Sequence, residues 1–459
     1  MREPGTAVSI ELPDDAVLGD LRSCFQPAAV LDACREQLRR IGRSERDAWR
    51  DCRMVEALYH PQRYARVAYA LLDSETIPAQ RFWPQGRIVY LHTPPRRPVS
   101  RRGDVLTIAG RSVEVYCFPN DRRLRNLRKF QNRADATRWW KRWLDETGDD
   151  FRIDRDSLRR VLIRYVPEQK WIIRLRARGI DPVAGAAGKR SVAVRAALPQ
   201  SCEMLWRRHR RFATAAGRTL LPFTVPDVAG ADLTRGLLAT RWLRGDSLFD
   251  ALRTGSVIDL MPRVARALAA FHEVRCLDIE PLVANHVLAR IDGATADLSA
   301  ACPERAVDLA RVRARLQRRL SELPPVKPVT LHNDFHWNQV RVQGDRLAIL
   351  DLERLCLGDP LIDVANFDTQ VRMLGHRPEC DVDASTAAGW ANAFFEAWGQ
   401  RSHVRIDPDT FACYAALSLL ELARGMMRHL RPGWRALAHR CIEAADARLA
   451  GAPHKAVMT

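Results

Sequence analysis

The run Leu331-His332-Asn333-Asp334-Phe335-His336-Trp337-Asn338-Gln339-Val340 sets a His, an Asp and, five residues past the Asp, an amide side chain in one short polar segment. A second acidic segment, Ile349-Leu350-Asp351-Leu352-Glu353, follows inside an apolar, strand-like stretch. These residue types could perform phosphoryl transfer. That reaction asks for a placed hydroxyl, neutralised phosphate charge and magnesium rather than covalent work by the protein. Asp334 would orient an acceptor hydroxyl and take its proton, while His332 would brace the loop by hydrogen bonds. Gln339 would offer its amide oxygen and Asp351 its carboxylate to magnesium, a hard cation that prefers oxygen.

Such residues must be held by regular elements. From residue 161 the pattern reads strand (161–165), turn (166–170), return strand (171–176) and third strand (191–196). The Ala- and Gly-rich stretch 179–188 reads as flexible. A helix over 200–215 and an apolar strand over 237–243 follow. Past Gly245 the apolar periodicity is helical over 258–274, 306–323, 384–398, 409–430 and 434–449. Only 329–365, which carries the opening motif, interrupts it.

Ahead of this body lies a further β-rich section. A helix is expected over 27–45, strands over 63–71 and 86–92, and a hairpin (105–108, 113–118) around Gly110. The basic run Arg122-Arg123-Leu124-Arg125-Asn126-Leu127-Arg128-Lys129, with Phe130, has the spacing of an amphipathic helix. A second helix holds Trp139, Trp140 and Trp143, and the polar turn at 146–150 suggests a boundary. The expected domains are an N-terminal α+β domain (1–150), a β-rich small lobe (151–243) and a helical large lobe (244–459). Tyr59-His60-Pro61-Gln62-Arg63 echoes Tyr165-Val166-Pro167-Glu168-Gln169-Lys170, which hints at a duplicated small lobe.

Three motifs in order are His332-Asn333-Asp334 with Gln339, Ile349 to Glu353, and Gly358-Asp359-Pro360-Leu361-Ile362-Asp363-Val364-Ala365. Together they resemble the aminoglycoside phosphotransferase and choline kinase family over residues 161–449. The resemblance implies an α+β, protein-kinase-like fold with two lobes, ATP and Mg2+ as cofactors, and a small-molecule hydroxyl as acceptor. It gives Asp363 a structural role within the catalytic region. Glu353 is left either to touch substrate or to pack. Two positions depart from the family's pattern. Gln339 stands where the family has Asn, with Asn338 one residue earlier. Arg195 stands where it has the strand lysine that pairs the nucleotide phosphates, with Lys189 and Lys170 as nearby substitutes and Glu203 as a candidate helix partner. Thr240 to Leu243, including Trp242, would line the adenine.

Bulk properties narrow the partners. A chain of 459 residues has room for about two to four domains. No run of about 18 apolar residues marks a membrane span. The N-terminal stretch lacks the basic start and apolar core of a secretory signal. Eleven scattered cysteines without a C-x-x-C pair argue for a reducing, cytoplasmic setting. The formal charge of +18 raises nucleic acid as a partner, but the arginine runs are read as solvated helix faces, and nucleic acid is not expected. That charge also argues against a polycationic acceptor. The reading is therefore a kinase acting on a sugar, amino sugar or amino alcohol, with a sugar-like or anionic acceptor fitting best. A non-catalytic nucleotide-binding scaffold is the alternative, motivated by Arg195 and Gln339.

Overall fold

The computed structural model describes residues 11–40, 49–72, 88–95, 103–130, 132–182, 185–217, 219–255, 259–276, 278–402 and 404–451. The chain divides into two compact units. One comprises Asp14–Arg207 and Asp227–Trp242; the other comprises Met1–Pro13, Arg208–Pro226 and Leu243–Thr459.

The first unit opens with α1 (Pro27–Arg40), the described part of the helix expected to 45. A five-stranded antiparallel sheet follows: β1 (Asp51–His60), β2 (Tyr64–Leu72), β3 (Ile88–Thr93), β4 (Asp104–Ile108) and β5 (Arg111–Cys117), in the order β1-β2-β3-β5-β4. Next come α2 (Arg133–Thr147), β6 (Arg152–Ile153), β7 (Arg159–Val166), β8 (Lys170–Asp181), β9 (Ala186–Ala197) and α3 (Pro199–Ala216), whose last turns belong to the second unit. Beyond β10 (Phe223–Thr224), which belongs to the second unit, β11 (Val228–Asp232) and β12 (Leu237–Arg241) complete a second sheet. Its order is β11-β12-β9-β8, with β6 and β7 both on the far side of β8.

The two sheets share one topology: a hairpin (β1-β2, β7-β8), a third strand (β3, β9), and a second hairpin whose later strand joins the third (β4-β5, β11-β12). The echo between the two Tyr-x-Pro turns extends to their hydrogen bonds. Asp15 accepts from the N–H groups of Val17 and Leu18, from the Tyr59 hydroxyl and from the N–H of Gln62, at 2.7–3.0 Å. Asp121 accepts from the N–H groups of Arg123 and Leu124, from the Tyr165 hydroxyl and from the N–H of Glu168, at 2.8–3.0 Å. Each member of the second set lies 106 positions after its counterpart: 15 and 121, 59 and 165, 62 and 168. Gln62 and Glu168 both adopt positive φ, at 57° and 63°. One core serves both sheets. Ile88, Tyr90 and Tyr116 of the first are buried with Tyr165, Trp171 and Val194 of the second and with Trp140 and Trp143 of α2.

Two expectations are corrected here. Residues 121–126 form a loop rather than the start of a helix, because the Asp121 carboxylate captures the N–H groups of Arg123 and Leu124; a short 3-10 turn, Leu127–Phe130, follows. Leu124, Leu127 and Phe130 are still buried, so the apolar spacing is served by a pinned loop. The stretch 179–188 is not a loose linker: β8 runs to Asp181 and β9 starts at Ala186. Gly179 is needed there, because a Cβ would stand 2.2 Å from the carbonyl oxygen of Arg152 on β6. The strand β1 was not foreseen.

The second unit is mainly helical. It holds β13 (Asp246–Ser247), α4 (Leu248–Thr254), α5 (Leu260–Glu273), α6 (Ala284–Ala301) and α7 (Ala306–Glu322). The segment that interrupts the helices supplies β14 (Val329–Leu331), β15 (Val340–Gln343), β16 (Arg346–Ile349) and β17 (Cys356–Gly358). Then come α8 (Leu361–Arg372), α9 (Ala384–Arg401), α10 (Pro408–Arg428) and α11 (Trp434–Leu449). Helix α10 packs on α8, α11 and α6, and its interior face is lined by Phe411, Leu419, Leu420 and Met427. Helix α6 also escaped the sequence reading. No helix among the described residues is long and apolar enough to cross a membrane.

Candidate active site

In the second unit, β14 pairs antiparallel with β17, Leu331 opposite Cys356, so residues 332–355 form a closed excursion from one two-stranded base. The β15-β16 hairpin within it carries the chain from Gln339 back to Leu350. Asp363, in the first turn of α8 and fully buried, fixes the start of this excursion. Its two oxygens accept from the N–H groups of His332 (2.8 Å) and Asn333 (2.7 Å), and the His272 Nε2 lies 3.2 Å away. The His332 ring, also without exposure, donates from Nε2 to the Leu350 carbonyl at 2.7 Å. It thereby ties the segment bearing Asp334 to the residue preceding Asp351. Asn333 and Asp351 both take left-handed backbone, with φ of 58° and 59°. Non-glycine residues hold that conformation only where their surroundings determine it, and such strain concentrates at functional sites.

Burial pushes the Asp334 carboxyl above its ordinary value; Arg354 and then His332 oppose the shift, and Asp351 and Glu421 add to it. A carboxylate so placed is a stronger base than a free one. Arg290, from α6, donates to the Asn333 Oδ1 at 2.9 Å and grips Glu421 of α10 through its Nε at 2.8 Å and through Nη2. Burial raises the Glu421 carboxyl, but Arg290, with Arg354 and Arg424, outweighs it and the group lies below its usual range. Arg354 is exposed and forms no ion pair among the described residues. Arg290 and Glu421 gave no signal in the sequence, since they come from distant helices; Arg354 adjoins the Asp351 to Glu353 segment and could have been noticed.

Gln339 has a partner in the protein, His336. His336 caps a short 3-10 turn by accepting the Asn338 N–H on Nδ1 at 3.2 Å, so that nitrogen carries no proton. Burial pushes the His336 ring down to about 3, and the neutral ring must then hold its proton on Nε2. That nitrogen lies 3.3 Å from the amide of Gln339. The atom placed there is the amide nitrogen, Nε2; with the ring proton on Nε2 of His336, a flip of the amide that turns its oxygen to the ring makes the hydrogen bond and leaves its NH2 group for another acceptor. Asn338 is exposed and Gln339 half-buried.

The candidate nucleotide residues lie in the first unit. On β9, Val192, Val194 and Ala196 point to the core, so Arg195 and Lys189 share the opposite face. Arg195 is paired with Leu238 of β12 and Ile172 of β8, and Thr240 is paired with Ala193. The Trp242 N–H donates to the Ser191 carbonyl at 3.0 Å, and its ring lies under the Arg174 guanidinium at 4.6 Å. Arg195, Thr240 and Trp242 thus share one sheet region. The structure does not bring Lys189 to Arg195: it pairs with Arg178, six residues and about 20 Å along the strand. Lys170, opposite Ala197, is the nearer amine. Glu203 goes to Arg207, 2.6 Å away and one turn on in the same helix.

Residues 126–404 match the model of the phosphotransferase enzyme family. The chain belongs to this family. It is a phosphotransferase with an α+β fold. Among solved structures, a choline/ethanolamine kinase family protein from Mesorhizobium loti is similar at 18% identity and a TM-score of 0.44, over 65% of this chain and 90% of that one. Aminoglycoside phosphotransferase APH(4)-Ia is similar at 16% identity and 0.44, over 69% and 99%. Amicoumacin kinase hAmiN, solved with AMP-PNP, Ca2+ and its ligand, is similar at 11% identity and 0.45, over 69% and 96%. A search of curated proteins by sequence gave no match.

Proposed function

We propose that this phosphotransferase moves the γ-phosphoryl group of ATP to a hydroxyl of a small, sugar-like acceptor that carries negative charge. The observation that carries this reading is the setting of Asp334. Burial raises its carboxyl, Arg354 is the foremost charge opposing that shift, and Arg354 has no ion pair of its own among the described residues. An exposed guanidinium acting on a catalytic carboxylate suits an anionic acceptor and disfavours a polycationic one. Sugars, amino sugars and amino alcohols all remain within the reading, acidic sugars foremost.

Asp334 orients the acceptor hydroxyl and takes its proton as the phosphoryl group arrives. His332 and Asp363 hold the loop that presents it. The donor set fits a hard cation in part: the Asp351 carboxylate suits Mg2+, while Gln339 can reach the metal only by leaving His336. Bound Mg2+ would neutralise phosphate charge. With its oxygen on His336, Gln339 instead offers NH2 to a phosphate oxygen. Arg195, Thr240 and Trp242 take the nucleotide in this reading, with Arg195 supplying the cation for its phosphates. We assign 151–243 to the nucleotide side, 244–459 to the catalytic side, and 1–150 to support of the small-lobe sheet.

The engagement of Gln339 by His336 favours one rival, a nucleotide-binding scaffold without transfer. An ATP-consumption screen with Mg2+ across neutral, anionic and cationic hydroxylated metabolites decides between them. Turnover should appear with an anionic or neutral sugar-like acceptor, and Arg354→Ala should raise KM for the anionic ones by about tenfold. Nucleotide binding without turnover on any acceptor would establish the scaffold instead.

A further inference from the structure

A cavity of about 810 Å³ in the first unit is lined by Arg66, Arg122, Arg123, Arg125, Glu168 and Arg235, among others. Part of this charge is neutralised. Arg66, almost wholly buried, meets Glu168 at 3.1 Å; Arg122 stands 3.9 Å from the same carboxylate; Arg235 holds Asp232 at 2.8 Å. Five guanidinium groups thus stand against two carboxylates, which leaves three positive charges in excess. Arg123 and Arg125 have no carboxylate partner among the described residues.

The chain carries its own control for these arginines. The loop Arg122-Arg123-Leu124-Arg125-Asn126, pinned by Asp121, corresponds to Ala16-Val17-Leu18-Gly19-Asp20, pinned by Asp15 through the same four kinds of hydrogen bond. The earlier loop keeps its anchor without a single arginine, so folding of the loop does not require them. The matching place in the first sheet is also closed from within. The Arg111 guanidinium crosses it to the carbonyls of Leu18 and Asp20 (2.6 Å to Asp20) and to the Thr93 hydroxyl (3.1 Å). In the second sheet the corresponding place is open and rimmed by Leu198, Pro199 and Asn126.

We propose that this cavity is a binding site for a small polyanion bearing two or more phosphate groups. Its volume suits one small molecule. Guanidinium forks match phosphate oxygens in two-point contacts. The loop that presents them has its backbone donors already committed to Asp121 and Tyr90, so little ordering is needed on binding. A compact concavity favours a small ligand over nucleic acid, which asks for an extended basic track.

The test is calorimetry of the full-length protein with inorganic tripolyphosphate, free of divalent cations and acceptor, so it is independent of the Asp334 reading. A site that survives the loss of Arg195 should be seen. The Arg123→Val/Arg125→Ala variant, whose first change restores the residue of the earlier loop, should bind at least about tenfold more weakly. Arg195→Ala, on the candidate nucleotide face, should leave this binding intact. Should the double variant melt early, Arg125→Glu alone provides the same loss from one exposed position. The proposal is overturned if tripolyphosphate does not bind at low salt, if the cavity variants bind as wild type does, or if Arg195→Ala alone removes binding. Tighter binding of a single-stranded oligonucleotide, lost in the same cavity variants, would replace it with a nucleic-acid site.

Discussion

Asp334 and Arg354 form the most testable pair at the scale of single residues. Asp334→Asn should lower kcat by about 10²–10⁴-fold and spare nucleotide affinity, because it removes a proton acceptor and little else. The pH dependence has a definite sign. Burial raises the Asp334 carboxyl, and the proposed role as base requires it ionised, so kcat/KM should fall as pH drops through that raised value. Arg354 opposes the shift, so Arg354→Gln should carry the acidic limb of the profile to higher pH. A limb that stays in place or moves to lower pH would remove Arg354 from the site. Asp363→Ala leaves two backbone N–H groups and His272 without their buried acceptor. It should cost about 3 kcal/mol in urea denaturation as well as activity. Asp334, Asp351 and Asp363 were legible in the sequence because all three fall within short motifs. Arg290, Glu421 and the His336 contact to Gln339 were not, since each depends on how distant helices or a single turn orient side chains.

Elements were legible where one local pattern governs them. The helices past Gly245 and the 161–176 hairpin announce themselves by period. The basic run at 122–129 misled, because a single buried carboxylate, Asp121, outcompetes helical hydrogen bonding for two N–H groups. Helix α6 was hidden by a weak apolar stripe, and β1 by its charged residues. The packing of β11 on α2 rests on a residue that periodicity cannot value. A Cβ on Gly230 would lie 2.2 Å from the Cγ of the fully buried Trp143. Gly230→Ala should therefore destabilise the first unit by about 1–3 kcal/mol, seen as an earlier thermal transition with a red shift of tryptophan emission. A melting curve like that of wild type would mean that β11 can withdraw from α2 without cost.

At the scale of the molecule, the repeated topology gives the first sheet a structural counterpart in the second. Sequence carried only the echo of two turns, Tyr59 and Tyr165; the shared topology emerges from strand pairing over long separations, which local patterns do not encode. The two sheets do not stand as independent domains. Tyr90 and Tyr116 stack at 4.7 Å, Tyr90 meets the edge of Tyr165 at 6.3 Å, and the Tyr90 hydroxyl accepts the Arg122 N–H at 3.1 Å. Arg66 of β2 stands 3.1 Å from Glu168, whose side chain is only 1% exposed. Deleting residues 1–117 would therefore strip one side of a shared aromatic core and take Arg66 away from Glu168. A chain beginning near Phe118 should be largely insoluble, or elute as aggregate on size exclusion, although it retains all three motifs between residues 332 and 365. Restoring the charge balance alone, by Glu168→Gln in the shortened chain, should not rescue it, because the exposed apolar faces of Phe118, Tyr165 and Trp171 remain. A soluble, monomeric short chain with the melting temperature of the full protein would show instead that the second sheet needs no partner.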